Sequence, residues 1–449
     1  MKKMTNKIAK KEILLQKGWN SIPASGIILD RDGNHIRVLH RGIWNLEEGP
    51  VFRDAKIEIE GETIAGDIEI HLRTSDWFSH GHDRNPEYGN VVLHVVAEDD
   101  LPEADTPRTA VLDSSAKKIP GGKLSRSEEF PPGRCAKIFS AMSDKAISDF
   151  FVEAGIQRFE LKTDFFLREM IESGSDNTLL RHLFEACGYR KNRENFLELY
   201  RRFSEHEIGK CDIGTVLWGE SDILPDSATS TLPSPALSEF VESTWSKWWK
   251  IRIEDRDTIK WKYSGVRPNN MPERRIAALC EILGKITVTP ASFLTKKAAE
   301  INDGTKFLAY LYQVLISTHP LWDKYIFKTK MATPSSVLGE ERASDMIASI
   351  ILPALNACSK ISADKRLSKM AMSSYLADSK TCSNSTLRHA FHRWFIPPSR
   401  GLKLLNSQSA AQGVIHIYRN SCEECRHDCM ECRIFRNMPA QDGKLRGQP

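Results

Sequence analysis

The sequence contains no run of about eighteen consecutive apolar residues, the minimum for an ordinary membrane-spanning helix. Its first residues, MKKMTNKIAKKEILLQKG, are basic but carry no apolar core of a secretory signal. A soluble, cytoplasmic protein with no membrane partner is therefore expected. An excess of one charge is missing too. The formal net charge of +4 is too small to mark a nucleic-acid binder, whose footprint would come from local clusters of Lys and Arg. Internal repeats are absent, and so is the shortage of apolar residues that keeps a chain disordered: 41% are hydrophobic and 27% charged. With 449 residues, about two or three domains with normal cores are possible. Regularly spaced cysteines are lacking through most of the chain. Cys135, Cys187, Cys211, Cys280, Cys358 and Cys382 stand singly and read as buried thiols in a reducing compartment rather than as a disulfide framework.

What is present begins with β pattern. IILDRDGNHIRVL holds two extended runs about Asp32-Gly33-Asn34, a hairpin signal because Gly and Asn tolerate positive φ. AKIEIE alternates, Gly61 marks a turn, and DIEIHLR alternates again with Ile68, Ile70 and Leu72 on one face and Asp67, Glu69, His71 and Arg73 on the other. VVLHVVA is apolar on both faces apart from His94, as in a covered central strand, where His94 reads as a hydrogen-bonded core histidine. A segment rich in Pro, Gly and Ser follows, over 101–134, with a short edge strand expected near TAVL.

Beyond it the period turns helical. MSDKAISDFFVEAGIQRF, LLRHLFEACGYRKNRENFLELYRRF, PALSEFVESTWSKWWKIR, ERRIAALCEIL, GTKFLAYLYQVLIS and ERASDMIASIILPALNAC space apolar residues three or four apart. ESDILPDSATSTLPSPA reads as a second linker. The expected fold class is α+β: a mixed β-rich part over 1–135, helical regions over 136–220 and 237–421, a cysteine-rich segment over 422–435 and a tail over 436–449.

Residues 66–96 gather four of the thirteen histidines. Glu69 and His71, two apart on a strand, project from the same face, where a carboxylate and an imidazole can bind a divalent cation or orient a water. Asp54 lies on the preceding hairpin arm. An acid, a hairpin, Glu-x-basic on a strand and then a hydrophobic strand resemble the core of PD-(D/E)XK nucleases. That resemblance implies a restriction-endonuclease-like domain, Mg or Mn held by the acids, and a basic residue positioning the attacking water; His71 stands where lysine is usual. Downstream, His80-x-His82-Asp83 can chelate one ion as zinc and iron sites do. The competing reading is structural, with Ser75 and Asp76 capping a turn and Trp77 and Tyr88 packed on the sheet edge.

GDIEIHLRTSDWFSHGHDRNPEYGNVVLHVVAEDD also resembles the signature of a bacterial family catalogued only as domain of unknown function 2851. ACGYRKNRENFLELYRR, RPNNMPERRIAAL and the cysteine-rich end are similar to its later motifs. The family carries no implied activity. Where it usually reads Gly-Pro-Asp-Phe, this chain has Gly49-Pro50-Val51-Phe52, and Val51 cannot bind a cation. Either Asp54 substitutes, which needs a bulge to turn its side chain, or catalysis has lapsed on a retained fold.

Near the end, Cys422, Cys425, Cys429 and Cys432 form C-x2-C-x3-C-x2-C, with His427 as an alternative ligand. Four soft ligands at this density suit zinc or an iron–sulfur cluster in a structural role. Zinc knuckles are usually more than a dozen residues apart. Cys422, Cys429 and Cys432 resemble part of the cluster loop of helix-hairpin-helix DNA glycosylases. RPNNMPERR offers Arg267, Arg274 and Arg275 around a helix start, a combination that suits phosphate. Lys250, Arg73 and the interleaved Trp245, Trp248 and Trp249 suit DNA or RNA in the same way, although each also reads as core or solvated surface.

Three functions are expected from these residues. One is a metal-dependent nucleic-acid phosphodiesterase, or its inactive descendant, with Asp54 and Glu69 on the ion, His71 on the water, and Asp76, His80, His82 and Asp83 as further ligands or acids. The others are a non-enzymatic nucleic-acid-binding or adaptor protein, and a zinc hydrolase of small molecules that uses the histidines.

Overall fold

Alternation of apolar side chains builds the N-terminal sheet, as the sequence predicts. The computed structural model describes residues 26–45, 49–112, 135–207, 211–226, 232–253, 256–380 and 385–423, together with 12, 15, 16, 18–20, 22 and 133. Strands β1 (Gly26–Leu29) and β2 (His35–His40) form the first hairpin. The Asp30 carboxylate closes its turn by accepting from the backbone N–H of Asp32 at 3.0 Å and of Asn34 at 2.8 Å. The short β3 (Ile43–Trp44) pairs with the start of β4 (Phe52–Ile59). Glu60 and Gly61, with φ of 53° and 87°, then reverse the chain into the long β5 (Glu62–Arg73). The predicted covered strand is β6 (Val91–Glu98), parallel to β5, and TAVL supplies β7 (Thr109–Val111), parallel to β6. The order is β1-β2-β4-β5-β6-β7, antiparallel as far as β5 and parallel beyond it. An Asp30–Ala110 bridge joins the end of β1 to β7, so the sheet curls until its outer strands meet.

One face of this sheet is the apolar core. Ile36, Val38, Ile57, Ile68, Ile70, Leu93 and Val95 are fully buried on it with Phe52 and Trp19. At about 1.5–3 kcal/mol for each buried large aliphatic side chain, this burial pins the register, because a slip of one residue would carry Ile68 and Ile70 to the polar face. Among the described residues, the same compact unit includes 388–400 and 418–423. There Trp394 stacks on Phe139 with ring centres 5.5 Å apart.

The second unit, residues 142–387 and 401–417, is helical. Its long helix Asp144–Ser173 starts where the Ser143 hydroxyl accepts from the Ala146 N–H. Its partner is Gln408–Ile417. Gly155 and Gly413 let their backbones meet, since a Cβ on Gly413 would collide with the Phe151 carbonyl and one on Gly155 with that of Ser409. Helices Ser175–Gly188, Arg193–Phe203, Pro235–Trp248, Pro272–Ile286, Gly304–Leu315 and Leu352–Ser362 follow the predicted periodicity. Ile213–Glu220, Pro290–Ile301 and Lys365–Ala377 are additional. The 220–236 stretch does not separate two bodies: one core runs from Phe159 to Tyr375 and takes Leu217 and Val241 from its two sides. No single helix among the described residues is long and apolar enough to cross a membrane.

Candidate metal centre

Strand β5 turns its polar face away from the isoleucine core, and that face is buried rather than wet. Glu69 is 4% exposed and His71 2%, because the crossover from β5 to β6 folds back over them. The crossover consists of a one-turn helix, Asp76–Ser79, and two 3-10 turns, His82–Arg84 and Pro86–Tyr88. Buried Trp77 packs edge-on against Tyr88 and His82, which fixes the two histidines of the crossover above the strand. Gly81, in the left-handed region at φ 73°, lets the chain turn between His80 and His82.

Four imidazoles therefore meet. His80 Nδ1 lies 3.1 Å from His71 Nε2, and His94 Nε2, on the neighbouring strand β6, lies 2.9 Å from His71 Nδ1. The His82 ring stacks between those of His71 and Tyr88, with centroids 5.1 and 3.7 Å away. One nitrogen each from His71, His80 and His82 lies within 4.8 Å of the others. Imidazole nitrogens around one zinc ion at about 2.0–2.1 Å stand roughly 3.3 Å apart, so a small inward movement would complete such a shell. The Glu69 Oε1 atom is 3.4 Å from His71 Nε2, and its Oε2 accepts the Val51 N–H at 2.9 Å.

Burial sets the electrostatics. It is the main cause that lowers His71 to about 2, helped by the neighbouring His94, His82 and His80, and that lowers His82 and His94 to about 4. These rings are neutral at physiological pH, the form that ligates metals. Burial likewise raises Glu69 to about 8 against the N–H groups of Val51 and Ile70. A nearby second carboxylate, Glu12, adds to that rise, and its own carboxyl is raised, first by burial. Glu12 escaped the sequence reading because nothing in the basic N-terminal segment signals its approach to the sheet. Exposed His80 and half-buried His82, whose Nδ1 is buried without a hydrogen-bond partner, complete the group of three ring nitrogens.

Other predicted residues are not among the three converging imidazoles. Asp54 does sit at a bulge, with φ 56°, but it is exposed, and its backbone rather than its carboxylate makes the contacts: N–H to Asp67 at 3.0 Å and C=O to His40 Nδ1 at 3.2 Å. It is not part of the imidazole cluster. Asp76 accepts from the Arg73 N–H at 3.1 Å and pairs with its guanidinium, so Arg73 and Asp76 brace the start of the crossover. Asp83 is exposed beside Arg84. Val51 packs its side chain against the isoleucine core and sends only its N–H to Glu69.

The phosphate reading of RPNNMPERR needs correction at two positions. Arg274 and Arg275 are 0% and 4% exposed. The Arg274 guanidinium binds the carbonyls of Trp322, Ser335 and Ser336, and that of Arg275 the carbonyls of Val337 and Asn269. They act as buried clamps, because backbone carbonyls without helix or sheet partners are satisfied by guanidinium donors. Arg267 and Lys250 are exposed, as is Trp249 with Arg252 over its ring. Of the C-terminal cysteines, Cys425, Cys429 and Cys432 lie outside the described residues, with His427 and the 436–449 tail. Cys422 is buried, and its sulfur accepts from Trp394 Nε1 at 3.4 Å.

The fold and site define an α+β protein with a partly buried imidazole–carboxylate cluster between a strand and its crossover. The sequence matches the family described as protein of unknown function DUF2851 over residues 12–384, and the chain belongs to it. No curated protein and no solved structure matches significantly.

Proposed function

We propose that this protein is a metal-dependent hydrolase of nucleic-acid phosphodiesters whose ion is held by His71, His80 and His82, with Glu69 beside it. The observation that carries the reading is the convergence of three imidazoles, buried His71, half-buried His82 and exposed His80, beside a buried carboxyl group. The ion would supply Lewis-acid polarisation of a phosphoryl oxygen and a more acidic water. A donor set rich in nitrogen favours zinc over magnesium or manganese, which prefer oxygen. Glu69, whose carboxyl burial raises to about 8, would take the proton of the attacking water once a cation beside it favours the carboxylate, while Val51 N–H holds its second oxygen. The phosphodiester class rests on the order of strands around Glu-x-His, which follows the nuclease pattern, and on the exposed guanidinium groups of Arg73 and Arg84 at the rim. A small-molecule zinc hydrolase is the second reading, favoured by Asp54 standing outside the cluster.

The test uses the full chain as wild type, as Glu69→Gln and as the double variant His80→Ala/His82→Ala. Each is given Zn²⁺, Mn²⁺ or Mg²⁺ with plasmid, single-stranded DNA, RNA and a small activated phosphodiester. Cleavage that falls about 10²–10⁴-fold in Glu69→Gln and disappears in the double variant supports the proposal. Turnover of the small ester alone, with zinc, moves the assignment to the second reading. Silence of the wild type with every metal overturns the enzymatic assignment and leaves a binding protein.

A further inference from the structure

His94 has no counterpart in the proposed donor set, yet it is fully buried in the middle of β6, and its Nε2 is 2.9 Å from His71 Nδ1. Registry places it there. Glu69 pairs with His94 across the parallel β5–β6 ladder, so one strand position brings His94 beside the polar face that carries Glu69 and His71. The ring also packs edge-on to His71 and lies against Trp77 at a centroid distance of 5.3 Å. A histidine kept for core packing alone would be expected to satisfy both ring nitrogens. The Nδ1 of His94 is buried with no hydrogen-bond partner.

We infer that His94 is the positioning residue of the metal centre, accepting the His71 Nδ1–H through its Nε2 so that the His71 Nε2 lone pair is fixed toward His80 and His82. This rests on the metal reading given above. The logic is that of proton counting. A neutral imidazole has one N–H; if His71 ligates through Nε2, the atom facing His80 and Glu69, its proton is on Nδ1 and needs an acceptor. The atom within reach is His94 Nε2, which accepts only if the His94 proton is on its own Nδ1. The unpartnered Nδ1 is thus the cost of presenting a lone pair to His71. The same bond fixes the plane of the His71 ring, whose stacking on His82 then sets the spacing of two ligands.

Cobalt(II) separates this centre from the C-terminal cysteines, because thiolate ligands add a near-ultraviolet charge-transfer band that imidazole ligands lack. The full chain is titrated with Co²⁺ and Zn²⁺ as wild type, His94→Leu and His94→Gln, the last retaining a carbonyl acceptor. His94→Leu is expected to weaken the thiolate-free site about 10–100-fold and to shift its visible bands, with His94→Gln recovering most of the affinity. Ring-nitrogen NMR of the zinc-loaded wild type, which needs no substitution, is expected to show both His71 and His94 protonated at Nδ1. Wild-type affinity in His94→Leu, or a His94 proton on Nε2 in the loaded protein, overturns the role of His94 while leaving the metal centre standing. If the wild type has no thiolate-free cobalt site, the metal reading and this inference fall together.

Discussion

At the scale of the residue, Val51 shows how side-chain direction outweighs sequence position. It stands where the resemblance leads one to expect an acid, and aspartate there looks like a restoration of catalysis. In the structure the Val51 side chain packs on the isoleucine core, and its contribution to the site is a backbone N–H to Glu69. Val51→Asp is therefore expected to lower stability by about 1–3 kcal/mol, since it places a carboxylate against apolar side chains, and to leave ion affinity unimproved. Thermal melting and a zinc titration check both parts; tighter ion binding would show that the acid reaches the cluster. Glu69 and His71 were legible because period-two alternation assigns them to one face. Glu12 and the buried clamps Arg274 and Arg275 were not, because exposure and proximity across the chain leave no local pattern. The cluster of arginines around a helix start had two meanings, and burial chose the structural one.

At the scale of the element, close packing of helices rests on single atoms. The crossing of Asp144–Ser173 with Gln408–Ile417 has no room for a Cβ at Gly155 or Gly413. Gly413→Ala improves helix propensity by roughly 1 kcal/mol, but the collision with the Phe151 carbonyl forces the backbones apart. The net expectation is a loss of about 1–3 kcal/mol, read by chemical denaturation. A second irregularity has a traceable cause. The segment Ile347–Ile351 is π-helical just ahead of Pro353, which has no N–H for the carbonyl four residues back; Lys162 Nζ donates to that Ser349 carbonyl at 2.9 Å instead. Helix periodicity revealed ERASDMIASIILPALNAC as helical. The π turn within it follows from one proline and one lysine far apart in sequence.

At the scale of the whole molecule, ion pairs on the helical unit give its acid response a definite sign. The Glu198 carboxyl is held well below its ordinary value of 4.5, at about 2, chiefly by its bond with Arg201 and also by Arg202. A depressed carboxyl stabilises the fold fully above its unfolded value and loses that contribution as pH falls from about 4.5 toward 2. Wild type is expected to melt above Glu198→Gln at neutral pH, with the gap closing as the pH is lowered through that window. A gap independent of pH would show that charge is not its source. The effect is modest because Glu198 and its chief partner Arg201 are partly exposed and screened.

The sequence by itself determined the α+β class, the β-rich beginning, most helices and the strand that carries Glu69 and His71, because periodicity of apolar residues is a local property that burial must respect. It also showed that potential ligands concentrate in residues 66–96. Only the tertiary structure decided which of them converge. His80 and His82 reach His71 because the crossover folds back over the sheet, His94 reaches it through the register of a parallel strand pair, and Asp54 stays outside because a bulge turns it to solvent. The two helical regions split at the 220–236 segment in the sequence reading share one core, since Pro and Ser mark a loop in either case and only contacts across it distinguish a linker from a turn within one body. Such outcomes depend on chain segments distant in sequence packing together, which no short window of residues records.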